Sequence, residues 1–261
     1  MLCMKVIDKN NLTVCVGRDE SEVRLPVTRE YQEGDFIAIE VSGSPCYVWL
    51  QLDDALGRSL VYLTGNYIFP IPFGEKRINL SPKVFSGNKH LLTLRKARDF
   101  EINAYRNLAY NVNDCHQNET CFPHASANVE TRGEAVFAAK NAIDGVTANS
   151  CHGEWPYASW GINRNPDAVM KLDFGRQVTV DRIIIYLRAD FPHDNWWTNG
   201  RITFSDGETL DMNFKKTGSG QEFTFEPKTI TSLEISHLIK ADDPSPFPAL
   251  SQIEVYGTEA E

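Results

Sequence analysis

Along the first hundred positions apolar and polar residues alternate in short runs. Apolar residues alternate in FIAIEV and YVWLQL, and KVIDKNNLTVCVG, SLVYLTGNYIF and KHLLTLRKA are apolar-rich between clusters of Gly, Pro, Asn and Asp. A period of two broken by turn formers predicts strands, and no helical period competes with it, so residues 1–104 are expected to form a β-sandwich domain. ARDFEINAYRNLAYN then loses the alternation and reads as a connector. Beyond it, TRGEAVFAAKNAIDG predicts the chain's one substantial helix, over residues 134–143. Thr131 and Glu134 stand at capping-box spacing and Asp144-Gly145 ends the run. Strand signals resume in AVMKLDFG, VTVDRIIIYLRA, GRITFSDGETLDMNF, GQEFTFEP, ITSLEISHLI and SQIEVYG, with Ser205-Asp206-Gly207 as a hairpin turn. The expected fold class is therefore all-β, with two sandwich domains, 1–104 and 105–261, the second carrying one short helix.

Composition narrows the function classes. The chain has 261 residues, 42% of them apolar, and a formal net charge of -9. No run of Lys or Arg exceeds two, which speaks against a phosphate-binding surface and hence against nucleic acid. No stretch of 18 apolar residues exists, so membrane insertion is not expected. MLCMKVIDKNN has neither a basic leader nor a continuous apolar segment, so the chain as written is expected to be cytoplasmic, with an extracellular role left open. The six cysteines are spread over a chain large enough to fold without staples and read as reduced thiols. DCHQNETCFPH brings Cys115, His116, Cys121 and His124 close in sequence, and there a disulfide or a metal remains an alternative.

NAIDGVTAN, Trp155 and Trp160, KLDFGRQVTVDRIIIYLRAD, FSDGETL and a closing SQIEVYG follow one another in a specific order. Together they resemble the discoidin domain, also called the coagulation factor V/VIII type C domain, over about residues 106 to 258. That superfamily includes many bacterial carbohydrate-binding modules. The resemblance implies a galactose-binding-like jelly roll for the second domain, with ligand loops gathered at one end of the sandwich. Loop ends of sandwiches are also where functional residues collect on general grounds, because the strands are committed to packing.

Three segments supply the candidate ligand residues. SCHGEWPYASWG gives His152, Glu154 and Trp155; RADFPHDNWW gives Arg188, Asp190, His193, Asp194, Asn195, Trp196 and Trp197; KADDPSPFP gives Lys240, Asp242 and Phe247. A sugar presents apolar C–H faces and rings of hydroxyls, so its site needs aromatic plates and fixed hydrogen-bonding groups. In the modules that the chain resembles, an arginine often stands where Arg188 does. Trp160 precedes a strand; in the family that the chain resembles, such a tryptophan usually packs into the core, and the resemblance implies the same for Trp160. Of the neighbours Trp196 and Trp197, one is expected to be buried and the other available, since adjacent residues on an extended chain face opposite ways. The resemblance also implies a structural Ca2+, held by Asp144 and Glu254 with Thr147 and Asn149 adding oxygens.

No G-x-S-x-G, H-E-x-x-H or P-loop occurs in the chain, so no catalytic residue is expected; Glu154, Asp190 and Asp194 leave a glycosidase as the weaker reading. The sequence thus points to a non-catalytic carbohydrate-binding protein. The alternative is an adaptor that uses the same aromatic loops for a protein partner or a homo-oligomer.

Overall fold

The computed structural model describes residues 1–149, 153–189 and 195–260. Eight strands form first: β1 (Leu2–Ile7), β2 (Thr13–Asp19), β3 (Glu22–Val27), β4 (Phe36–Val41), β5 (Cys46–Gln51), β6 (Ser59–Leu63), β7 (Tyr67–Pro70) and β8 (His90–Lys96). They make two antiparallel sheets, β2-β1-β4-β7 and β6-β5-β8-β3. The alternation of FIAIEV and YVWLQL turns Ile37, Ile39, Val48 and Leu50 inward, where they are fully buried against one another's sheets in a single core.

After a single helical turn, α1 (Asp99–Ile102), the second set comprises β9 (Arg106–Asn107), β10 (Cys121–Phe122), β11 (His124–Ala127), β12 (Trp160–Gly161), β13 (Met170–Leu187), β14 (Trp197–Phe204), β15 (Thr209–Asn213), β16 (Gln221–Lys240) and β17 (Ala249–Glu259). Eight of these nine share one sheet, β12-β17-β13-β16-β14-β15, with β11 added to β13 and β9 to β17. The fold is all-β, as the pattern of the sequence predicts. Among the described residues no helix is long and apolar enough to cross a membrane.

One sheet closes around a core because β13 bends. Its first stretch, Met170 to Asp173, pairs with β11, and the stretch from Val178 onward pairs with β17. Gly175 lies between them at φ 66°, and a Cβ there would stand 2.3 Å from the Phe122 ring, so neither the backbone nor the space accepts a side chain. A second irregularity sets the facing of the strand. Against β17, Val180 pairs with Gly257 and Arg182 with Tyr256, which leaves Asp181 as one extra residue. Before this bulge the buried positions are even (Val178, Val180), and after it they are odd (Ile183, Ile185, Leu187), all fully buried in the same core.

The expected helix over 134–143 is instead three 3-10 turns, Thr131–Gly133, Ala135–Phe137 and Ala139–Ile143. Glu134 and Ala138 between them are extended, and Arg132 is left-handed at φ 53°. The Thr131 hydroxyl caps nothing here, since it accepts the backbone N–H of Asn163 at 3.0 Å. Apolar burial of Val136, Phe137, Ala139, Ala142 and Ile143 is satisfied by the broken path, so the apolar pattern was read correctly as core and wrongly as a continuous helix.

The Ser205-Asp206-Gly207 hairpin is present, with Gly207 at φ 89° and its N–H bonded to Phe204. Chain crossing between the cores is less simple than a cut at residue 104. Leu108 and Ala109 enter the second core, whereas Val112, Cys115 and Cys121 return to the first, where β10 pairs with β6. The two halves are also joined by Glu259, whose carboxylate accepts from Arg176 (2.7 Å twice), Arg106 (2.6 Å) and the Tyr47 hydroxyl (2.6 Å).

Candidate functional site

At the end of the eight-stranded sheet where β12 and β13 stop and β17 begins, a cavity of about 190 Å³ opens to the surface. Its frame is tight. Gly161 pairs with Ala249, and the Arg188 N–H donates to the Ala249 carbonyl at 2.9 Å. A Cβ on Gly161 would lie 2.7 Å from the Thr131 hydroxyl and 3.2 Å from Phe137, so glycine lets the 131–137 turns approach the sheet. Those turns form one wall, residues 162–164 the second, and 246–249 the third.

Three arginines reach this cavity. Arg188 is nearly fully buried, donates to the Ser159 hydroxyl and the Phe247 carbonyl at 3.3 Å each, and has its guanidinium 5.8 Å from the centre of the Phe137 ring. Arg132 has its guanidinium 5.6 Å from the centre of the Phe137 ring and forms a bidentate pair with Glu134 at 2.5 and 2.8 Å. Arg164 lies over Phe247 at 4.6 Å. Asn163 and Arg164 are left-handed (φ 49° and 60°), in a tight turn closed by the bond from the Asn165 N–H to the Ile162 carbonyl. Arg132, Asn163 and Arg164 are three of the six non-glycine residues with positive φ among the described residues, and all three line this one cavity.

Of the sequence-derived ligand residues, the structure brings Arg188 and Phe247 together here. Trp197 is fully buried, 6.4 Å from Trp160, and Trp196 is half-buried against the same core. Trp160 is core as expected, its indole N–H donating to the Val129 carbonyl at 2.9 Å. Asn195 is buried and structural: its amide donates to Ser245 and accepts from the Trp196 N–H at 2.7 Å. Trp155 and Glu154 are exposed but outside the cavity lining, because the Trp155 N–H bonds to Ile78 and leans the segment on the first half of the chain. Lys240 and Asp242 are exposed, and Lys240 is tied to the carbonyls of Ala241 and Asp243 at 2.9 Å. His152, Asp190, His193 and Asp194 lie outside the described residues.

The lining residues that sequence reasoning missed are Thr131, Arg132, Phe137, Asn163 and Arg164. A signal existed in GINRNP, where two asparagines and a proline around an arginine mark a turn.

The cation set takes a different form from the expected one. Asp144 accepts the Val146 N–H at 2.8 Å, and burial pushes its carboxyl up to about 7. Glu254 accepts the Tyr256 hydroxyl at 3.1 Å, and it is Gln252, fully buried, that receives the Gly145 N–H at 3.1 Å. Asn149 donates to the Leu187 carbonyl at 3.3 Å and Thr147 is exposed. The last strand therefore closes the D-G turn with the neutral amide of Gln252. In DCHQNETCFPH, His116 bonds Glu130 at 2.7 Å, His124 bonds Asp114 at 2.8 Å, and Cys115 and Cys121 are free thiols in the first core.

No curated protein matches the chain. Solved structures similar to it include chitosan-binding module 1 of a chitosanase/glucanase from Paenibacillus sp. IK-5 (20% identity, TM-score 0.41, 58% of this chain and 98% of that one). Others are a fucose-binding module from Streptococcus pneumoniae (13%, TM-score 0.42, 59% and 98%) and the family 32 carbohydrate-binding module of C. perfringens NanJ in complex with galactose (20%, TM-score 0.39, 51% and 91%). The family described as Domain of unknown function (DUF7402) matches residues 119–256. That match takes in β10 to β16, most of β17 and every wall of the cavity, and with more than half of its length covered the chain belongs to the DUF7402 family.

Proposed function

We propose that the cavity between residues 131–137, 162–164 and 246–249 binds a carbohydrate without transforming it. The observation that carries the reading is the pairing of guanidinium donors with aromatic rings at the cavity wall: Arg132, Arg164 and Arg188 beside the buried Phe137 and the half-buried Phe247. Hydroxyl oxygens accept from the former and the C–H face of a ring packs on the latter. At about 190 Å³ the cavity is smaller than the ~300–1,000 Å³ typical of drug-sized ligands, which suits one sugar ring. Strained backbone held in place around a cavity is a mark of function, because left-handed residues persist only where the surroundings enforce them. A glycosidase would place two carboxylates across the scissile bond, and none of the described lining residues is acidic.

A glycan array, followed by calorimetric titration of the best sugar, tests this. Phe247→Ala is expected to weaken binding about tenfold through loss of its plate. Arg188→Ala is expected to lower both affinity and stability, since Arg188 is buried and holds Ser159 and the 247 carbonyl as well as facing the cavity. An array with no sugar bound, together with a stable dimer in a native mass measurement, would support the adaptor reading instead.

A further inference from the structure

We infer that the sugar taken by this cavity carries a carboxylate, as a uronic acid does; the inference rests on the carbohydrate reading above. A neutral sugar's hydroxyls both donate and accept, so a site for one needs acceptors as well as donors. The described lining is heavily donor-sided. Guanidinium groups have no acceptor capacity, and three of them line one small cavity in a chain whose formal net charge is -9. No aspartate or glutamate is among the described lining residues. The Thr131 hydroxyl already accepts the Asn163 N–H with one of its two lone pairs, so its remaining lone pair and the Asn163 amide are the side-chain acceptors at hand.

The arginines differ in how far they are already neutralised. Glu134 holds Arg132 in a bidentate pair at the rim. Arg164, by contrast, has no carboxylate partner among the described residues and rests on the Phe247 ring. Its left-handed backbone at φ 60° would be better served by Gly or Asn, so the position is held for the side chain. A planar, acceptor-only carboxylate matches the two-pronged donor face of a guanidinium, and the ring that bears it can lie on the same phenylalanine that carries Arg164.

The test is calorimetric titration of the full chain with D-galacturonate and D-glucuronate against D-galactose and D-glucose, with galactose 6-sulfate as a second anion, in 50 and 300 mM NaCl. A uronate is expected to bind at least tenfold more tightly than the neutral sugar of the same ring, to lose affinity at the higher salt, and to lose most of its advantage in Arg164→Gln, whose fold is checked by circular dichroism. Equal binding of uronate and neutral sugar, or an advantage that Arg164→Gln leaves intact, overturns the inference while the carbohydrate reading stands. Tighter binding of the sulfated sugar than of either uronate also overturns it, in favour of a tetrahedral anion. Failure of every sugar here and on a glycan array overturns both readings together.

Discussion

Arg164 sits in a backbone region that a Cβ disfavours by about 1–2 kcal/mol, and nothing in the sheet requires a large side chain at that turn. Two substitutions separate the side chain from the strain. Arg164→Ala and Arg164→Gly both remove the guanidinium, but only the glycine variant relieves the left-handed penalty. Arg164→Gly is therefore expected to be the more stable of the two by about 1 kcal/mol in chemical denaturation. Equal stabilities would show that the turn is relaxed, and would remove strain from the argument for function. His116 makes a second residue-level prediction. Its hydrogen bond to Glu130 raises its pKa above the ordinary value, although burial opposes this. A raised histidine stabilises fully below its unfolded pKa of about 6.5 and the gain is lost as pH rises through the folded value. Between pH 6 and 8 the wild type should lose slightly more Tm than His116→Gln. The difference is worth under about 1 kcal/mol, because the imidazole is more than half exposed.

At the scale of elements, alternation was a guide where one face of a strand meets the core, as with Val48 and Leu50, and of the neighbours Trp196 and Trp197 one is buried and the other half-buried. It failed at 131–143, where the same apolar residues are buried by three short turns. A helical pattern asks only that residues recur on one side, and Gly133, the left-handed Arg132 and the extended Glu134 and Ala138 satisfy that without a continuous helix. Arg188 and Phe247 were legible as site residues because each sits at a loop end next to a recognisable strand. Arg132, Asn163 and Arg164 were not, since their convergence depends on turns whose facing is fixed by partners far away, such as the Thr131 hydroxyl on Asn163. Trp155 was misplaced for a related reason: its backbone bond to Ile78 belongs to packing between the two halves, which neither half's pattern encodes.

Across the whole molecule, the halves are coupled through Glu259. Burial alone would raise its carboxyl, but the bonds from Arg176, Tyr47 and Arg106 prevail and hold it below the ordinary carboxylate range. The stabilisation is thus present above that ordinary range and is lost as pH falls through the depressed value. Glu259→Gln leaves two largely buried arginines uncompensated. The expected loss is about 2–4 kcal/mol, below the 3–5 typical of fully buried pairs because some water reaches the cluster. In thermal unfolding this should appear as a Tm lower by about 5–15 °C. A change of under 1 °C would mean that the two cores hold together by apolar packing alone.

The extra residue at Asp181 gives the cavity end of the sheet a phase. On a strand, sidedness is a matter of odd and even, and one inserted position inverts it for everything that follows. Deleting Asp181 would leave β13 plainly alternating, with Val180, Ile183, Ile185 and Leu187 still turned to the core, whereas one residue inserted between Arg182 and Ile183 of a regular strand would turn Ile183, Ile185 and Leu187 out and carry Arg188 to the other face. Which side of the sheet faces the cavity is therefore written into this protein as a count of backbone units, and one residue inserted far from the cavity would disturb it more completely than the loss of one of its arginines.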